Sequence, residues 1–185
     1  MSCVRSYFLK TERLGFSEWN ESDSSLAEML WGDSKVSFFI GGPFTAEEAS
    51  WRLRREIEMR IAHKVQYWPV FLLQENKFAG CAGLRPYKND ERVFEMGVHL
   101  LPGCWGQGFG QEAARAVIKF GFERLGAKSL FAGHHPANVA SRRLLERLGF
   151  RFTHEEFYAP TGLNHPSYRL MNPGVTTAPQ GDADL

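Results

Sequence analysis

Hydrophobic and polar residues alternate from Val93 to Leu101, giving Phe94, Met96, Val98 and Leu100 to one face and Glu95 and His99 to the other. The pattern predicts a strand over 93–101. Past Pro102-Gly103 the period changes: Ala113, Ala114, Val117, Ile118, Phe122 and Leu125 recur at helical spacing and predict a helix with one apolar stripe. Between the two lies a turn carrying Gly106, Gly108 and Gly110. These glycines let the backbone fold tightly and come close to a ligand without Cβ hindrance. Amides from Gly108 to Gln111 would point outward from the helix start, where the macrodipole is positive, which suits a phosphate or pyrophosphate. The plain alternative is a tight strand-to-helix connection with no ligand.

The same patterning predicts a strand over 7–16, a short helix from Ser24 to Trp31 capped by Ser22 or Asp23, and a longer helix from Ala46 to about His63. Thr45 and Glu48 have the spacing of a capping box at the start of that longer helix. Ala49, Leu53, Ile57 and Ile61 would form its buried stripe, leaving Arg52, Arg55, Glu56, Glu58 and Arg60 on a face expected to be solvated because acids interleave with the bases, a basic groove for an acidic partner being the alternative. Strands over 67–74 and 77–84 flank Glu75-Asn76, a two-residue hairpin candidate. A strand over 129–132, a helix from Asn138 to Leu148, and strands over 150–157 and 167–171 complete the order. Asn138 is placed as an N-cap, and Gly149 stands where a left-handed residue ends a helix. With no internal repeat or linker, residues 1–172 are expected to form a single domain, and 173–185 a flexible tail.

Composition narrows the class. The chain has 185 residues, 43% of them hydrophobic and 23% charged, enough to bury a substantial core. A formal net charge of +1 gives no electrostatic case for nucleic acid or an anionic membrane surface. Cys3, Cys81 and Cys104 are odd in number and far apart, so reduced thiols and a cytoplasmic location are expected. No apolar run approaches the roughly 20 residues of a membrane span, and the amino terminus lacks a secretory layout. Among phosphate loops, the absence of Gly-Lys-Ser/Thr excludes the nucleoside-triphosphate type. A dinucleotide site is disfavoured, because the strand ending Leu130-Phe131-Ala132-Gly133-His134 lacks the acidic residue that holds a ribose. The histidines have no metal-ligand spacing.

Three motifs, in order and spread from Tyr7 to Met171, give the chain a resemblance to the GCN5-related N-acetyltransferase (GNAT) superfamily, in particular to its ribosomal-protein N-terminal acetyltransferase-like branch. They are Thr11-Glu12-Arg13-Leu14, then Glu95-Met96-Gly97 with Pro102 and Trp105 through Ala113, and last Asn138-Val139-Ala140-Ser141 with Leu145 through Phe150. The resemblance implies an α+β fold: a mostly antiparallel mixed sheet with flanking helices, whose fourth and fifth strands splay apart around acetyl-CoA. Carried onto this chain, the fourth strand is 93–101 and the fifth 129–132. Backbone groups of His99, Leu100 and Leu101 would hold the pantetheine arm. The amides of Gly106, Gln107, Gly108, Phe109, Gly110 and Gln111 would hold the pyrophosphate. Asn138 and Ser141 would approach the pantetheine and the thioester sulfur. Acetyl-CoA is then a cosubstrate, no metal is required, and the acceptor is a primary amine, foremost a protein or peptide N-terminus. A small-molecule amine and a non-catalytic acyl-CoA-binding module are the alternatives, Arg52, Arg54 or Arg55 would suit a carboxylated acceptor, and a homodimer is compatible with the family.

Two positions depart from the superfamily pattern. Trp105 stands where many members have Gln or Arg, as is usual in this branch. Leu145 stands where many have a tyrosine that protonates the departing thiolate, so Ser141 or water would fill that role. Glu95 is the candidate base, set against a strand carboxylate paired with an arginine. His99 shares its face, with proton transfer weighed against packing. His134 and His135 follow the fifth strand and are expected to serve the loop. Gly97 would mark a bulge that opens the cleft. Glu112, in the first turn after the glycines, would repel a pyrophosphate if it pointed inward, so it is expected to be structural.

Overall fold

In the computed structural model, which describes residues 5–88 and 90–174, the chain opens with β1 (Leu9–Lys10), β2 (Leu14–Phe16), α1 (Ser24–Trp31), α2 (Ser34–Ser37) and α3 (Ala46–His63). It continues through β3 (Tyr67–Leu72), β4 (Lys77–Pro86), β5 (Val93–Leu100), α4 (Phe109–Glu123) and β6 (Ser129–Gly133). It ends with α5 (Val139–Arg147), β7 (Arg151–Tyr158) and β8 (Leu163–Met171). The strands form one sheet in the order β1-β2-β3-β4-β5-β6-β8-β7. Every neighbouring pair is antiparallel except β5 and β6.

Each face of the sheet carries its own core, as the alternation of the strands requires. On one face the stripe of α4 (Phe109, Ala113, Ala114, Val117) meets Leu84, Met96, Leu100 and Leu130. On the other, Leu30, Trp31 and Leu53 from α1 and α3 cover Tyr67, Phe71, Phe78 and Cys81. The β5 reading holds: Met96 and Leu100 face the α4 core with Phe94 and Val98 packed beside them.

The expected strand over 7–16 is a hairpin. The Thr11 N–H donates to the Leu14 carbonyl at 2.9 Å, and Leu9 pairs with Phe16. The turn forms because the Thr11 hydroxyl accepts from the Leu14 N–H at 3.0 Å, satisfying a backbone donor locally. The strands expected as fourth and fifth are therefore β5 and β6. The β3–β4 connection spans four residues, 73–76, rather than two, with Asn76 at φ 47°. The final strand begins at Leu163, because it pairs with β7 as a hairpin out to Tyr158. The expected tail lies outside the described residues apart from Pro173 and Gly174, and Cys3 lies outside them too.

The capping box of α3 is present: Thr45 Oγ1 accepts from the Glu48 N–H, and Glu48 accepts from the Thr45 N–H. Its stripe differs from expectation. The buried positions are Ala49, Leu53 and Glu56, while Ile61 is exposed. Four-residue spacing runs about 40° ahead of each helical turn, so by Ile61 the series has rotated about 120°, out of the apolar face. Glu56 sits where the stripe does turn inward, and it is fully buried.

Candidate active site

β5 and β6 pair over three positions only: Val93 with Ser129, Phe94 with Leu130, and Glu95 with Phe131. Beyond Glu95, β5 stays with β4 and β6 stays with β8. The two strands part, and a cleft of about 300 Å³ opens between them. The Leu101 N–H donates to the Ala79 carbonyl at 2.9 Å. By the alternation of an antiparallel ladder, the backbone groups of Glu95, Gly97 and His99 then face β4, while those of Val98 and Leu100 face the cleft. The Leu100 carbonyl is already taken by the Trp105 indole N–H at 2.7 Å. Of the backbone groups expected at His99 to Leu101, the Leu100 N–H faces the cleft, and the Val98 groups join it. The His99 and Leu101 amides serve the ladder instead.

The β4–β5 ladder runs in register through Gly83 and Gly97, so no bulge opens the cleft. Gly97 answers a different need. A Cβ there would lie 2.4 Å from Cζ of Tyr67, whose ring occupies that space. The splay follows from which neighbour each strand keeps.

At the end of β5 the glycine-rich turn enters α4 with Gly108 as N-cap, in the left-handed conformation at φ 81°. Gly108 has no side chain with which to cap this helix. The first intrahelical bond runs from the Glu112 N–H to the Gly108 carbonyl, so the amides of Phe109, Gly110 and Gln111 precede the ladder. Gly106, Gln107 and Gly108 are exposed, Phe109 is buried against the core, and a Cβ at Gly106 would meet nothing within 4 Å. Gly106 thus leaves free space outside the backbone, while a Cβ at Gly108 would meet Arg13 Nη2 at 3.4 Å and one at Gly110 would meet Leu100 Cδ1 at 3.7 Å. Arg13 fastens the turn: its guanidinium bonds the Gln107 carbonyl at 3.0 Å and Glu112 at 2.7 Å, and lies 4.4 Å over the Phe109 ring. Glu112 also accepts from the Thr11 hydroxyl and the Arg13 N–H. Burial raises the Glu112 pKa, but these hydrogen bonds outweigh it and hold the carboxylate below its ordinary value. Glu112 is engaged by the N-terminal hairpin and not turned at the loop.

On the other wall, Asn138 caps α5, its side-chain oxygen accepting from the Ser141 N–H at 3.0 Å. Asn138, Ser141 and Leu145 line the cleft together.

Glu95 lies at the fork. Among the described residues its carboxylate makes no ion pair or hydrogen bond. Arg85, its partner across the ladder, is bonded to Glu56, which also accepts from the Tyr67 N–H at 2.8 Å. Burial holds the Glu95 pKa above the ordinary carboxylate value, against the opposite pull of Arg85. His99 packs edge-on to Tyr67, and its Nδ1 accepts from the Trp31 indole at 3.4 Å. Burial, with Arg85 and Arg52 nearby, pushes its pKa down to about 3, so it is neutral and a weak base. His134 Nδ1 bonds the His135 carbonyl at 2.8 Å, and His135 Nδ1 accepts from the Ala137 N–H at 3.1 Å. Both tie the β6–α5 loop.

A family model described as an acetyltransferase (GNAT) domain matches residues 13–151. The chain belongs to the GNAT acetyltransferase family. The uncharacterized N-acetyltransferase YnaD of Bacillus subtilis is 26% identical over 144 residues, covering 77% of this chain and 82% of that protein. A GNAT-family acetyltransferase from Bacillus anthracis superposes with a TM-score of 0.77 at 24% identity, over 89% of this chain and 98% of that one. RimL, a ribosomal L7/L12 alpha-N-protein acetyltransferase solved in complex with coenzyme A, superposes at 0.74 with 16% identity, over 90% and 98%.

The acyl donor of a GNAT domain is acetyl-CoA, and this site fits it. The turn from Gly106 to Gln111 offers open backbone and uncommitted amides to a pyrophosphate. Val98 and Leu100 offer strand-edge groups to an amide-bearing arm. Glu95, Asn138 and Ser141 are brought together around one cleft, which the glycine turn adjoins through β5. Among the described residues no group of three or more His, Cys, Asp or Glu is arranged to hold a metal. The sequence put Arg52 and Glu56 of this GNAT domain on a solvated face, with Arg52, Arg54 or Arg55 as the alternative contacts of a carboxylated acceptor, and did not single out Arg85 or Tyr158. Arg52, Arg85 and Tyr158 line the cleft. The available signal was the helical period, which turns Glu56 toward the core once Ala49 and Leu53 are buried.

Proposed function

We propose that this enzyme moves the acetyl group of acetyl-CoA directly to the α-amino group of a protein or peptide, in a ternary complex with Glu95 as proton acceptor. The observation that carries the reading is the Glu95 carboxylate at the fork of β5 and β6, which has no partner among the described residues. In this reaction the amine nitrogen bonds the thioester carbonyl carbon, the C–S bond breaks, and one amine proton passes to Glu95, directly or through water. Ser141 or water protonates the departing sulfur, since Leu145 has no proton to give. A carboxylate suits an α-amine: with a pKa of about 8, roughly a tenth is neutral at pH 7, against a few in ten thousand for a lysine side chain. The acceptor named for RimL supports the same choice.

A second reading, a small-molecule amine, is favoured by one contact. Segment 38–41 rests on the β7–β8 turn, where a Cβ on Gly41 would lie 2.7 Å from the Pro160 carbonyl oxygen, and Phe39 and Ile40 bound the cleft beneath. Free-thiol release from acetyl-CoA separates the two. Peptides beginning with Ala or Ser are expected to support turnover that is lost when their N-termini are blocked. Turnover confined to small amines would replace the acceptor class. Silence on both, with coenzyme A still bound, would contradict catalysis and leave an acyl-CoA-binding module.

A further inference from the structure

Four formally charged side chains line the cleft: Arg52, Arg85, Glu95 and Glu156. Two are ion-paired within the protein. Arg85 is bonded to Glu56, and Glu156 is bonded to Lys88 at 3.0 Å and to the Tyr87 hydroxyl at 2.8 Å. Glu95 and Arg52 have no ion-pair partner among the described residues, and they do not pair with each other. The cleft therefore holds one uncompensated negative group and one uncompensated positive group at separate points of its lining.

Arg52 is positioned by α3, one turn before Glu56, with its guanidinium carbon 3.8 Å over the Phe44 ring. The aromatic face fixes the planar group, and Tyr158 lines the same cleft. Burial holds its pKa below the ordinary arginine value, against the opposite pull of Tyr158 and Glu56. A bound anion would relieve that, and a guanidinium beside a hydroxyl donor is suited to a carboxylate.

Resting on the transferase reading, we propose that Arg52 and Tyr158 form an acceptor subsite for a carboxylate, so that the preferred substrate is an amine carrying a carboxylate: a free amino acid, or a peptide with an acidic residue next to its N-terminus. The amine faces Glu95 while the carboxylate faces Arg52, and the two ends of one acceptor meet the cleft's two uncompensated charges. Arg52 here is a specificity residue and does not touch the reacting atoms.

Calorimetry in saturating coenzyme A tests this without turnover. The probes are N-acetylglycine against N-acetylglycinamide, and acetyl-Ser-Glu-Ala-amide against acetyl-Ser-Gln-Ala-amide. At least one acid is expected to bind tenfold or more tightly than its neutral counterpart, and which pair discriminates identifies the source of the carboxylate. In Arg52→Gln the ratio should fall to within about twofold of unity while coenzyme A affinity, the check on folding, is kept. Tyr158→Phe should lower the ratio less. Equal binding of acid and amide by the wild type, or a preference that survives Arg52→Gln, would overturn the subsite. Acetyl transfer to neutral and acidic amines alike would overturn the subsite and leave the transferase reading standing. Acid-selective binding without transfer to any amine would uphold the subsite and remove that reading.

Discussion

Arg85 and Glu95 face each other across the β4–β5 ladder, yet the Arg85 guanidinium is bonded to the buried Glu56 of α3. Three layers of the fold meet in that choice. Glu56 anchors the cation and accepts from the Tyr67 N–H, so Glu95 stays without a counter-ion among the described residues where the strands separate. A cross-strand pair between Arg85 and Glu95 would have held the carboxylate low and weakly basic.

Glu56→Ala should therefore act on stability and on the pH profile together. Removing one member of a buried pair strands the other charge and leaves a buried N–H unpaired, a loss of about 3–5 kcal/mol. Urea unfolding measures it. In the folded fraction Arg85 is free to turn to Glu95, so the acid limb of activity should move to lower pH.

The glycine turn makes a local contrast testable. Gly108→Asp puts bulk and negative charge on the turn, its Cβ 3.4 Å from Arg13 Nη2, at a positive φ that side chains disfavour, and should abolish coenzyme A binding. Gly103→Ala lies on the same connection, has nothing within 4 Å of the new Cβ and no positive φ, and should bind as the wild type does. Calorimetric titration with coenzyme A distinguishes them.

His99 predicts a pH-dependent stability. Its folded pKa, about 3, lies below the ordinary value of 6.5. The unfolded chain therefore binds the proton first, and stability falls as pH drops from 6.5 toward 3. Between pH 7 and pH 5 this one group costs about 2 kcal/mol. In His99→Gln that part of the slope should vanish, which urea titrations at the two pH values would reveal.

Features specified by neighbouring residues were legible in the sequence. The alternation of β5, the Thr45–Glu48 box, Asn138 as a cap and the glycine turn into α4 each depend on a few adjacent side chains, and the structure has them. What was hidden depends on distant partners. Thr11 and Arg13 turn the first strand into a hairpin partly through Glu112, about 100 residues away. Glu56 looked like a surface acid until Arg85 and Tyr67 were brought to it by β3 and β4. Gly97 looked like a bulge because its real reason, the ring of Tyr67, comes from two strands away in the sheet. Arg52 was one of three helix arginines, with Arg54 and Arg55, that the sequence offered for a carboxylated acceptor, and what separates it from the other two is its place in the cleft and the Phe44 ring.

The most direct test is the pH dependence of kcat/KM for acetyl transfer to an α-amine, in the wild type and in Glu95→Gln. The wild type should lose activity as pH falls through a carboxylate pKa above the ordinary Glu value, since only the ionised form takes the proton. Glu95→Gln should bind coenzyme A normally, lack that acid limb, and turn over about 100-fold more slowly. An unchanged rate and an unchanged profile in Glu95→Gln would contradict the assignment of Glu95 as the base.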